Sequence, residues 1–277
     1  MKKFKVGLQL FSVREAMAED FEGTLQKVKD MGYDYVEFAG FFEKSADEVK
    51  AILDKIGLTA ISVHQGNQLF LEQGKAAIDY LAKIGAKFCA IPWYNINNWL
   101  EDWDGTIKAF TEFSEALKEA GIKLCYHNHD FELTNDIDGV HLLDKLYATL
   151  STDIIDPEFD TCWVHYAGEN PTEYIEKYSG RVEIVHLKDF VCTKLADGPV
   201  YHLIDKNGKA DNKTASKEET GFKFVPLGTG RQDFPAILAA CEKSGTEYVI
   251  VEQDQSLDRD PLEAAKISRE YLKSLGL

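Results

Sequence analysis

The sequence predicts an α/β protein, a closed (β/α)8 TIM barrel formed by one domain over residues 1–277. Three observations predict it: strand-like and helix-like patterns alternate eight times, most of the helical patterns end close to a glycine, and the chain has 277 residues. Such alternation gives a parallel sheet with right-handed crossovers, and barrels have about 250 residues. The main alternative is an open sheet with a small second domain. Eight units without a break in composition favour the closed barrel.

The eight units follow one another along the chain. The first strand covers residues 6–10, and the first helix, residues 21–31, has Phe21, Leu25, Val28 and Met31 at helical spacing. The later strands are short, apolar and mostly β-branched, at residues 33–38, 58–63, 88–91, 122–126, 154–159, 182–187 and 248–251. Their helices are predicted at residues 46–56, 74–84, 106–120, 140–150, 172–178, 234–243 and 261–275. Pro157 interrupts the sixth strand and makes it the weakest of the eight.

Composition excludes several classes of partner. The net charge of −16 argues against nucleic acid and anionic membranes, which attract basic patches. The five cysteines have neither zinc-finger nor C-x-x-C spacing, which is typical of buried thiols in a reducing cytosol. The first residues are too polar for a signal peptide, and no apolar run is long enough to span a bilayer. We expect a soluble, cytoplasmic protein and leave a homo-oligomer open.

One connection is unusually long. Residues 188–230 separate the seventh strand from its helix, and strand-to-helix loops form the catalytic face of a barrel. Within it, residues 200–204 and 222–225 have strand-like patterns on either side of a polar turn at 205–219. One interpretation is a hairpin lid over the mouth, and the other is a mobile surface excursion.

Ionisable side chains follow the predicted strands. Residues 125–132, CYHNHDFE, place two imidazoles and two carboxylates where the fifth strand ends. Such groups are costly to bury unless they are paired or bound to a metal. Because all eight strands of a barrel point the same way, the polar and aromatic residues at their ends should converge on one mouth: Gln9, Glu37, His64, Trp93, His127, His129, Glu132, Asp160, His186, Lys188 and Glu252.

The mixture of carboxylates and imidazoles predicts a divalent metal site. Such a donor set suits Mn²⁺, Co²⁺, Zn²⁺ or Mg²⁺. Single members also have structural interpretations: His127 or His129 as a hydrogen-bonded histidine, Glu37 as an ion-pair partner and Trp93 as core. The conjunction of several ionisable strand ends favours a functional site. The sequence Gly228-Thr229-Gly230 is a weak signal, typical of a turn but compatible with a phosphate or sugar contact.

These motifs, taken in order, resemble the xylose isomerase-like TIM-barrel superfamily, in its sugar phosphate isomerase/epimerase branch. The resemblance covers essentially the whole chain, and it is specific to the fold and to metal binding but not to a substrate. It is carried by GLQLFSVR at 7–14, YVE at 35–37, YHNHDFE at 126–132, DTCW at 160–163, AG at 167–168, VHLKD at 185–189, LGTG at 227–230 and VE at 251–252.

The resemblance implies the metal ligands. Members of the family generally hold one divalent ion through Glu, Asp, His and Glu on four strands, which correspond here to Asp160, His186, Glu252 and a residue of the fifth strand. The fifth-strand position, usually Glu, is His127 in this chain. Either His127 binds the ion or Glu132 reaches back from the loop, and we favour Glu132 because it keeps three carboxylates on the ion. The expected ion is Mn²⁺, with Co²⁺, Zn²⁺ and Mg²⁺ as alternatives.

The resemblance also implies the chemistry. We expect a sugar isomerase or epimerase that removes a proton next to a carbonyl through an enediolate. Histidine at the fifth strand weakens a symmetric scheme with two carboxylates, so the alternative is a keto-sugar lyase or dehydratase, similar to inosose dehydratases or to enzymes that cleave 3-keto-glycosides. A third interpretation is a sugar-binding barrel without turnover. The expected catalytic residues are His127, His129, Lys188 and Glu252, and the expected sugar-binding residues are Gln9, Glu37, His64, Trp93 and Trp163.

Lys188 has a specific expected role. It lies two residues after His186 on one strand, so both side chains should face the mouth. A lysine beside a divalent cation is unfavourable unless a negative group lies between them. We therefore expect Lys188 to bind a substrate oxygen. The structural alternative is an ion pair with Glu132, Asp160 or Asp189.

Overall fold

The computed structural model describes residues 4–195 and 221–277. Its eight barrel strands are β1 Lys5–Gln9, β2 Tyr35–Phe38, β3 Thr59–His64, β4 Phe88–Ile91, β5 Lys123–His127, β6 Asp156–Asp160, β7 Ile184–Leu187 and β8 Tyr248–Val251. All neighbouring pairs are parallel, and the sheet closes through pairing of β1 with β8. The predicted (β/α)8 barrel is therefore confirmed, and the open sheet is excluded.

Helices surround this barrel. The described α-helices are α1 Arg14–Glu19, α2 Phe21–Met31, α3 Ala46–Ile56, α4 Asn67–Gln73, α5 Lys75–Ile84, α6 Ile96–Glu101, α7 Trp103–Glu119, α8 Phe131–Thr134, α9 Leu142–Thr149, α10 Thr161–Tyr166, α11 Pro171–Lys177, α12 Phe234–Ser244 and α13 Pro261–Ser274. A 3₁₀ turn, Leu10–Val13, follows β1. Across the ranges that the structure describes, none of the helices combines the length and the apolar character that crossing a membrane requires.

Local sequence signals set the helix ends. Ser45 and Glu48 form a capping box at the start of α3, in which each side chain bonds the backbone N–H of the other. Gly57 then ends α3 with a left-handed φ of 78°, a conformation that costs glycine little. This glycine stop explains why the sequence locates the end of the helix correctly.

Alternation along the strands divides the barrel into layers. Side chains of a strand point by turns into the barrel and towards the helices. Inside the barrel, Cys125, Ile184 and Ile250 belong to one buried apolar cluster. Two residues further along the same strands lie His127, His186 and Glu252. The barrel interior is therefore apolar at its centre and ionisable at the carboxyl ends of its strands.

The strand-to-helix connections contain short helices that were not predicted from the sequence. α4, α6, α8 and α10 each follow a barrel strand and precede the longer helix of the unit. The predicted helix at residues 140–150 also begins later, because Val140–His141 pairs with Asp136–Ile137 as a small antiparallel ladder. With four to seven residues each, these four helices are too short to give a periodic pattern that stands out in the sequence.

The long connection after β7 begins and ends as a two-stranded ladder. Asp189–Val191 pairs antiparallel with Lys223–Val225, so residues 222–225 are partly strand as predicted. The predicted strand at 200–204 lies outside the described residues, and the lid stays a prediction. The base of this connection rests on a buried cluster of aromatic and sulfur side chains: Cys162, Trp163, Tyr166, Phe190, Phe222 and Phe224.

The amino-terminal end of β7 carries a stabilising arginine. The Arg181 guanidinium donates to Asp156 Oδ1 at 3.2 Å and to the carbonyl oxygens of Tyr147, Leu150 and Ile155 at 2.9–3.0 Å. We expect Arg181→Ala to lower the free energy of unfolding by about 2–4 kcal/mol, because three carbonyl oxygens lose this donor and Asp156 keeps only Lys123 and Thr152. Urea unfolding followed by circular dichroism measures this. Arg259→Ala, at an exposed position, is the control, and equal losses in both variants would contradict the role of Arg181.

Candidate metal centre

The carboxyl ends of the strands bring a dense set of ionisable groups together. Eight of them are at most 5% exposed: Glu37, His127, Glu158, Asp160, His186, Lys188, Glu252 and Asp254. His64, at the end of β3, is the ninth and is almost as deeply buried, with 7% of its side chain exposed. Most of this set was predicted at the mouth from the sequence, and the structure brings those residues together.

Two overlapping groups within this set have donor atoms close enough to share a metal ion. In each group, one donor atom per residue lies within 4.8 Å of all the others. We call His127, Asp160, His186 and Glu252 the outer group, and His64, His127, Glu158 and His186 the inner group. Glu158 precedes Asp160 by two residues on β6, so the inner group lies one layer deeper in the barrel.

Each of the two shared histidines presents one ring nitrogen to the outer group and the other to a carboxylate of the deeper layer. His186 Nδ1 lies 2.9 Å from Glu252 Oε2, and its Nε2 lies 2.6 Å from Glu37 Oε2. His127 Nε2 lies 3.7 Å from Asp160 Oδ2, and its Nδ1 lies 3.4 Å from Glu158 Oε2. Each imidazole therefore connects the outer group with a carboxylate of the deeper layer.

Asp160 is oriented by the chain around it. Its Oδ1 accepts hydrogen bonds from the backbone N–H groups of Cys162 at 2.8 Å and Trp163 at 3.2 Å, as the N-cap of α10. Asn128 Oδ1 in turn accepts the Asp160 N–H at 3.0 Å. One carboxylate oxygen is thus committed to the helix, which leaves Oδ2 directed at the outer group.

Lys188 holds the carboxylates of the mouth together. Its Nζ lies 2.8 Å from Asp160 Oδ2, Glu252 Oε2 and Asp254 Oδ1. Burial disfavours the ammonium, but the three carboxylates outweigh it and raise the pKa of Lys188 well above its usual range. Of the three ion-pair partners predicted for Lys188, the structure supplies Asp160. Glu252 and Asp254 are two partners that were not predicted.

The ionisable groups of the deeper layer differ widely in pKa. Burial, and then the charge of Glu37, raise the pKa of Glu158 to about 7. Burial alone would raise the pKa of Glu37 as well, but His64 and His186 lower it to about 2. Burial and the neighbouring His186 lower the pKa of His127 well below its usual range. His127 is therefore a neutral imidazole, which is the form that binds metals.

Glu132, favoured from the sequence as the fifth-strand ligand, points elsewhere. Its Oε1 accepts the Tyr126 hydroxyl at 2.6 Å, and its Oε2 accepts the His129 N–H at 2.7 Å. It belongs to neither group, whereas His127 belongs to both. The geometry therefore favours the other alternative, His127, because both oxygens of Glu132 are already used, one by Tyr126 of β5 and one by the N–H of His129 just after β5.

The residues expected to bind sugar occupy two different places. Gln9, Glu37 and His64 contact one another and the histidines: Gln9 Nε2 donates to Glu37 Oε2 at 2.8 Å, and His64 Nε2 lies 3.2 Å from the same oxygen. Trp163 is buried in the aromatic cluster below the long connection, and its ring lies 5.5 Å from Lys188 Nζ. Trp93 is half-buried just after β4 and belongs to neither group. His129 lies beside His127, with ring centroids 5.2 Å apart.

Glu158 and Asp254 are site residues that were missed from the sequence. Only the last residues of the strands were considered there, and Glu158 lies inside β6, where Pro157 weakens the strand pattern. The signal was the alternation of Asp156, Glu158 and Asp160, which places three carboxylates on one face.

The outer group fits a divalent ion. It offers two carboxylate oxygens and two imidazole nitrogens from four strands, as hard to borderline cations require. His127 Nδ1 and His186 Nε2 are buried without a hydrogen-bond partner, although carboxylates lie 3.4 and 2.6 Å away. This crowding of donors is the arrangement expected around a metal site.

The glycine-rich turn after the long connection does not offer a free phosphate site. The N–H groups of Gly228 and Gly230 donate to Asp189 Oδ2 at 3.0 and 2.8 Å. Gln232 N–H donates to Asp189 Oδ1 at 3.2 Å. The backbone donors that an anion would use are therefore occupied by a side chain of the same chain, which supports the interpretation as a turn.

Comparison with known proteins identifies the family. The family model of the xylose isomerase-like TIM barrel matches residues 25–275. An inosose dehydratase of Clostridium botulinum (strain Alaska E43 / Type E3) is 28% identical over 183 residues, which cover 65% of this chain and 56% of that protein. One from Clostridium beijerinckii is 25% identical over 279 residues, covering 91% and 89%. The chain thus spans only about half the length of the first curated relatives, in alignments covering 54–56% of them.

Solved structures share the fold over nearly the whole chain. A sugar phosphate isomerase/epimerase from Parabacteroides distasonis superposes with a TM-score of 0.75 at 21% identity, covering 99% of this chain and 95% of that chain. The IolI protein, solved with a bound zinc atom, superposes with a TM-score of 0.71 at 15% identity, covering 98% and 97%. At these identities the likeness is one of fold.

Proposed function

Because the chain belongs to the xylose isomerase-like TIM-barrel family, we propose that it is an enzyme that uses one divalent metal ion to remove a proton next to the carbonyl of a sugar or cyclitol. The observation that carries the proposal is the outer group, in which four buried donors from four strands meet. Buried ionisable groups in this number are costly in a barrel that only binds sugar. A bound divalent ion would offset the cost of burying these groups.

We assign the ion to His127, Asp160, His186 and Glu252, with Mn²⁺ as the first choice. Co²⁺, Zn²⁺ and Mg²⁺ suit the same mixture of oxygen and nitrogen donors. When bound, the ion would polarise the substrate carbonyl and offset the negative charge that develops on its oxygen. The protein contributes the fixed directions of the four donors and their exclusion from solvent.

The residues of the mouth would move and hold the protons. In this proposal Glu252 accepts the proton from carbon with the carboxylate oxygen that does not bind the ion. Lys188 Nζ, which would lose its pairs with Asp160 Oδ2 and Glu252 Oε2 to the ion, donates a hydrogen bond to the substrate oxygen. Burial lowers the pKa of His129 well below its usual range, so its ring, beside His127, is neutral and donates a ring N–H hydrogen bond to the departing oxygen. Trp163 packs against the sugar ring, and Trp93 lies further out on the same face of the barrel.

Elimination of water is the outcome best supported. It needs one base for the proton on carbon and one acid that protonates the departing hydroxyl, so that a proton and a hydroxide leave as water. A single carboxylate can provide both, because it takes the proton from carbon and then passes it to the departing hydroxyl. His127 stands where the family resemblance leads us to expect a second carboxylate. The curated relatives named inosose dehydratase support a keto-cyclitol as substrate.

Isomerisation or epimerisation is the second candidate. It shares the removal of the proton and then returns it to carbon. The solved sugar phosphate isomerase/epimerase and the family as a whole favour it. The occupied turn at Gly228 and Gly230 favours a substrate without phosphate in both cases.

Proton NMR in D₂O tests the proposal. Chelator-treated protein is loaded with Mn²⁺ and incubated with keto-cyclitols and keto-sugars, and the ion is removed before spectra are recorded. We expect deuterium at the carbon next to the carbonyl, with loss of a hydroxyl for a dehydratase and without it for an isomerase. Unloaded protein is the control. Full activity without metal, or no exchange with any substrate tried, would contradict the proposal.

A further inference from the structure

Two carboxylates lie behind the proposed metal ligands, on the side away from the mouth. Glu37 Oε2 is 2.6 Å from His186 Nε2, and Glu158 Oε2 is 3.4 Å from His127 Nδ1. Both carboxylates have 0% exposure. The other ring nitrogen of each histidine faces the outer group. His186 Nδ1 faces Glu252, and His127 Nε2 faces Asp160 and Glu252.

We propose that Glu37 and Glu158 are positioning residues, which fix the tautomer and the ring direction of the two histidines that bind the metal. The inference rests on the proposed function, because it takes the outer group as the metal site. A histidine that binds a metal usually donates its other ring N–H to a carboxylate or carbonyl, and this contact orients the ring and makes it a stronger ligand. Here each of the two histidines has its own carboxylate.

Further side chains hold these carboxylates in place. Gln9 Nε2 donates to Glu37 Oε2 at 2.8 Å, while Gln9 Oε1 accepts the Phe11 N–H at 3.0 Å. His64 Nε2 lies 2.7 Å from Glu158 Oε2 and 3.2 Å from Glu37 Oε2, and so connects the two. Gln9, Glu37 and His64 therefore act through the histidines, which differs from the sugar-binding role expected from the sequence.

A competing interpretation makes the inner group a metal site of its own. Its donors are three imidazoles and a carboxylate, which would suit zinc. It shares both His127 and His186 with the outer group, so two ions at once would require both rings to bind metal through both nitrogens. The positioning role needs only one proton on each ring, which makes it the simpler arrangement.

Metal titration of matched variants tests the inference. Chelator-treated wild type, Glu37→Gln and Glu158→Gln are titrated with Mn²⁺ by calorimetry, and the visible spectrum of each Co²⁺ form reports the ligand geometry. We expect about 10- to 100-fold weaker Mn²⁺ binding in both variants and an altered Co²⁺ spectrum. Glu183→Gln is the control, because Glu183 pairs with Lys87 and Lys123 at the opposite end of the barrel.

The outcomes separate the inference from the proposed function. Wild-type affinity in both Gln variants overturns the positioning role and leaves the metal site intact. If the wild-type chain binds two ions and His64→Ala binds one, the inner group is a metal site and the positioning role is wrong. If wild type binds no ion, the proposed function falls and the positioning role falls with it. The shorter side chains of Glu37→Asp and Glu158→Asp keep the negative charge but move it away from the imidazole ring. These variants test the positioning role if a Gln variant does not fold.

Discussion

Replacement of Lys188 by methionine is expected to lower kcat about 10²-fold or more and to destabilise the metal-free protein by about 3–5 kcal/mol. The side chain is 1% exposed, and its ammonium lies 2.8 Å from three carboxylates. Methionine keeps much of the volume but leaves Asp160, Glu252 and Asp254 buried without their shared cation. The loss in kcat follows if the same ammonium also stabilises charge on the substrate oxygen.

The two effects of Lys188→Met should respond differently to metal. A divalent ion in the outer group adds positive charge beside Asp160 and Glu252, the carboxylates that lose their partner in the variant. We therefore expect Mn²⁺ to raise the melting temperature of Lys188→Met more than that of wild type, because an ion that binds only the folded state stabilises it. Metal should restore much of the stability but none of the lost turnover.

Thermal melts with chelator or with Mn²⁺, and kcat per folded molecule, separate the two roles. Lys194→Met is the control, since Lys194 lies on the same connection and is exposed. If stability falls while turnover per folded molecule is unchanged, Lys188 is only an ion-pair partner and its catalytic assignment is wrong. If stability is also unchanged, the ion pairs contribute nothing measurable.

The part of the site that the sequence predicted is the part that short-range alternation determines. On β7, His186 and Lys188 are two residues apart, which places both in the barrel without any knowledge of the rest of the fold. The convergence of Asp160, His186 and Glu252 then follows from the barrel, because parallel strands end at one face. Their separation in sequence is irrelevant once the topology is known.

The assignments that the sequence left open or missed depend on hydrogen bonds that a sequence pattern does not reveal. Glu132 and His127 are both compatible with a fifth-strand ligand from their positions. What separates them is the Tyr126 hydroxyl, which turns Glu132 away from the mouth. Likewise, the sequence alone left the N–H groups of Gly228 and Gly230 free to bind an anion. In the structure both donate to Asp189, which lies some forty residues earlier in the chain.

Alanine at His127 is expected to weaken Mn²⁺ binding about 10²-fold or more, whereas Glu132→Gln should leave it within a few-fold of wild type. Binding free energies of about 10–16 kcal/mol for four-ligand zinc sites correspond to roughly 2.5–4 kcal/mol per ligand, and every 1.4 kcal/mol is a factor of ten. His127 has donor atoms in both groups, so its removal costs the outer group one of four ligands.

Glutamine fits the Glu132 site because burial raises the pKa of that carboxyl to about 8, so it is largely neutral at pH 7. In Glu132→Gln, the new amide oxygen can accept the His129 N–H, and the new NH₂ group can donate to the Tyr126 hydroxyl oxygen. Calorimetric titration with Mn²⁺ measures both variants, with circular dichroism as the check on folding. A large loss of affinity in Glu132→Gln together with unchanged binding in His127→Ala would return the fifth-strand ligand to Glu132. The metal site would then need a rearrangement of α8 that frees Glu132 from Tyr126 and His129, since these two hydrogen bonds hold its carboxylate away from the outer group.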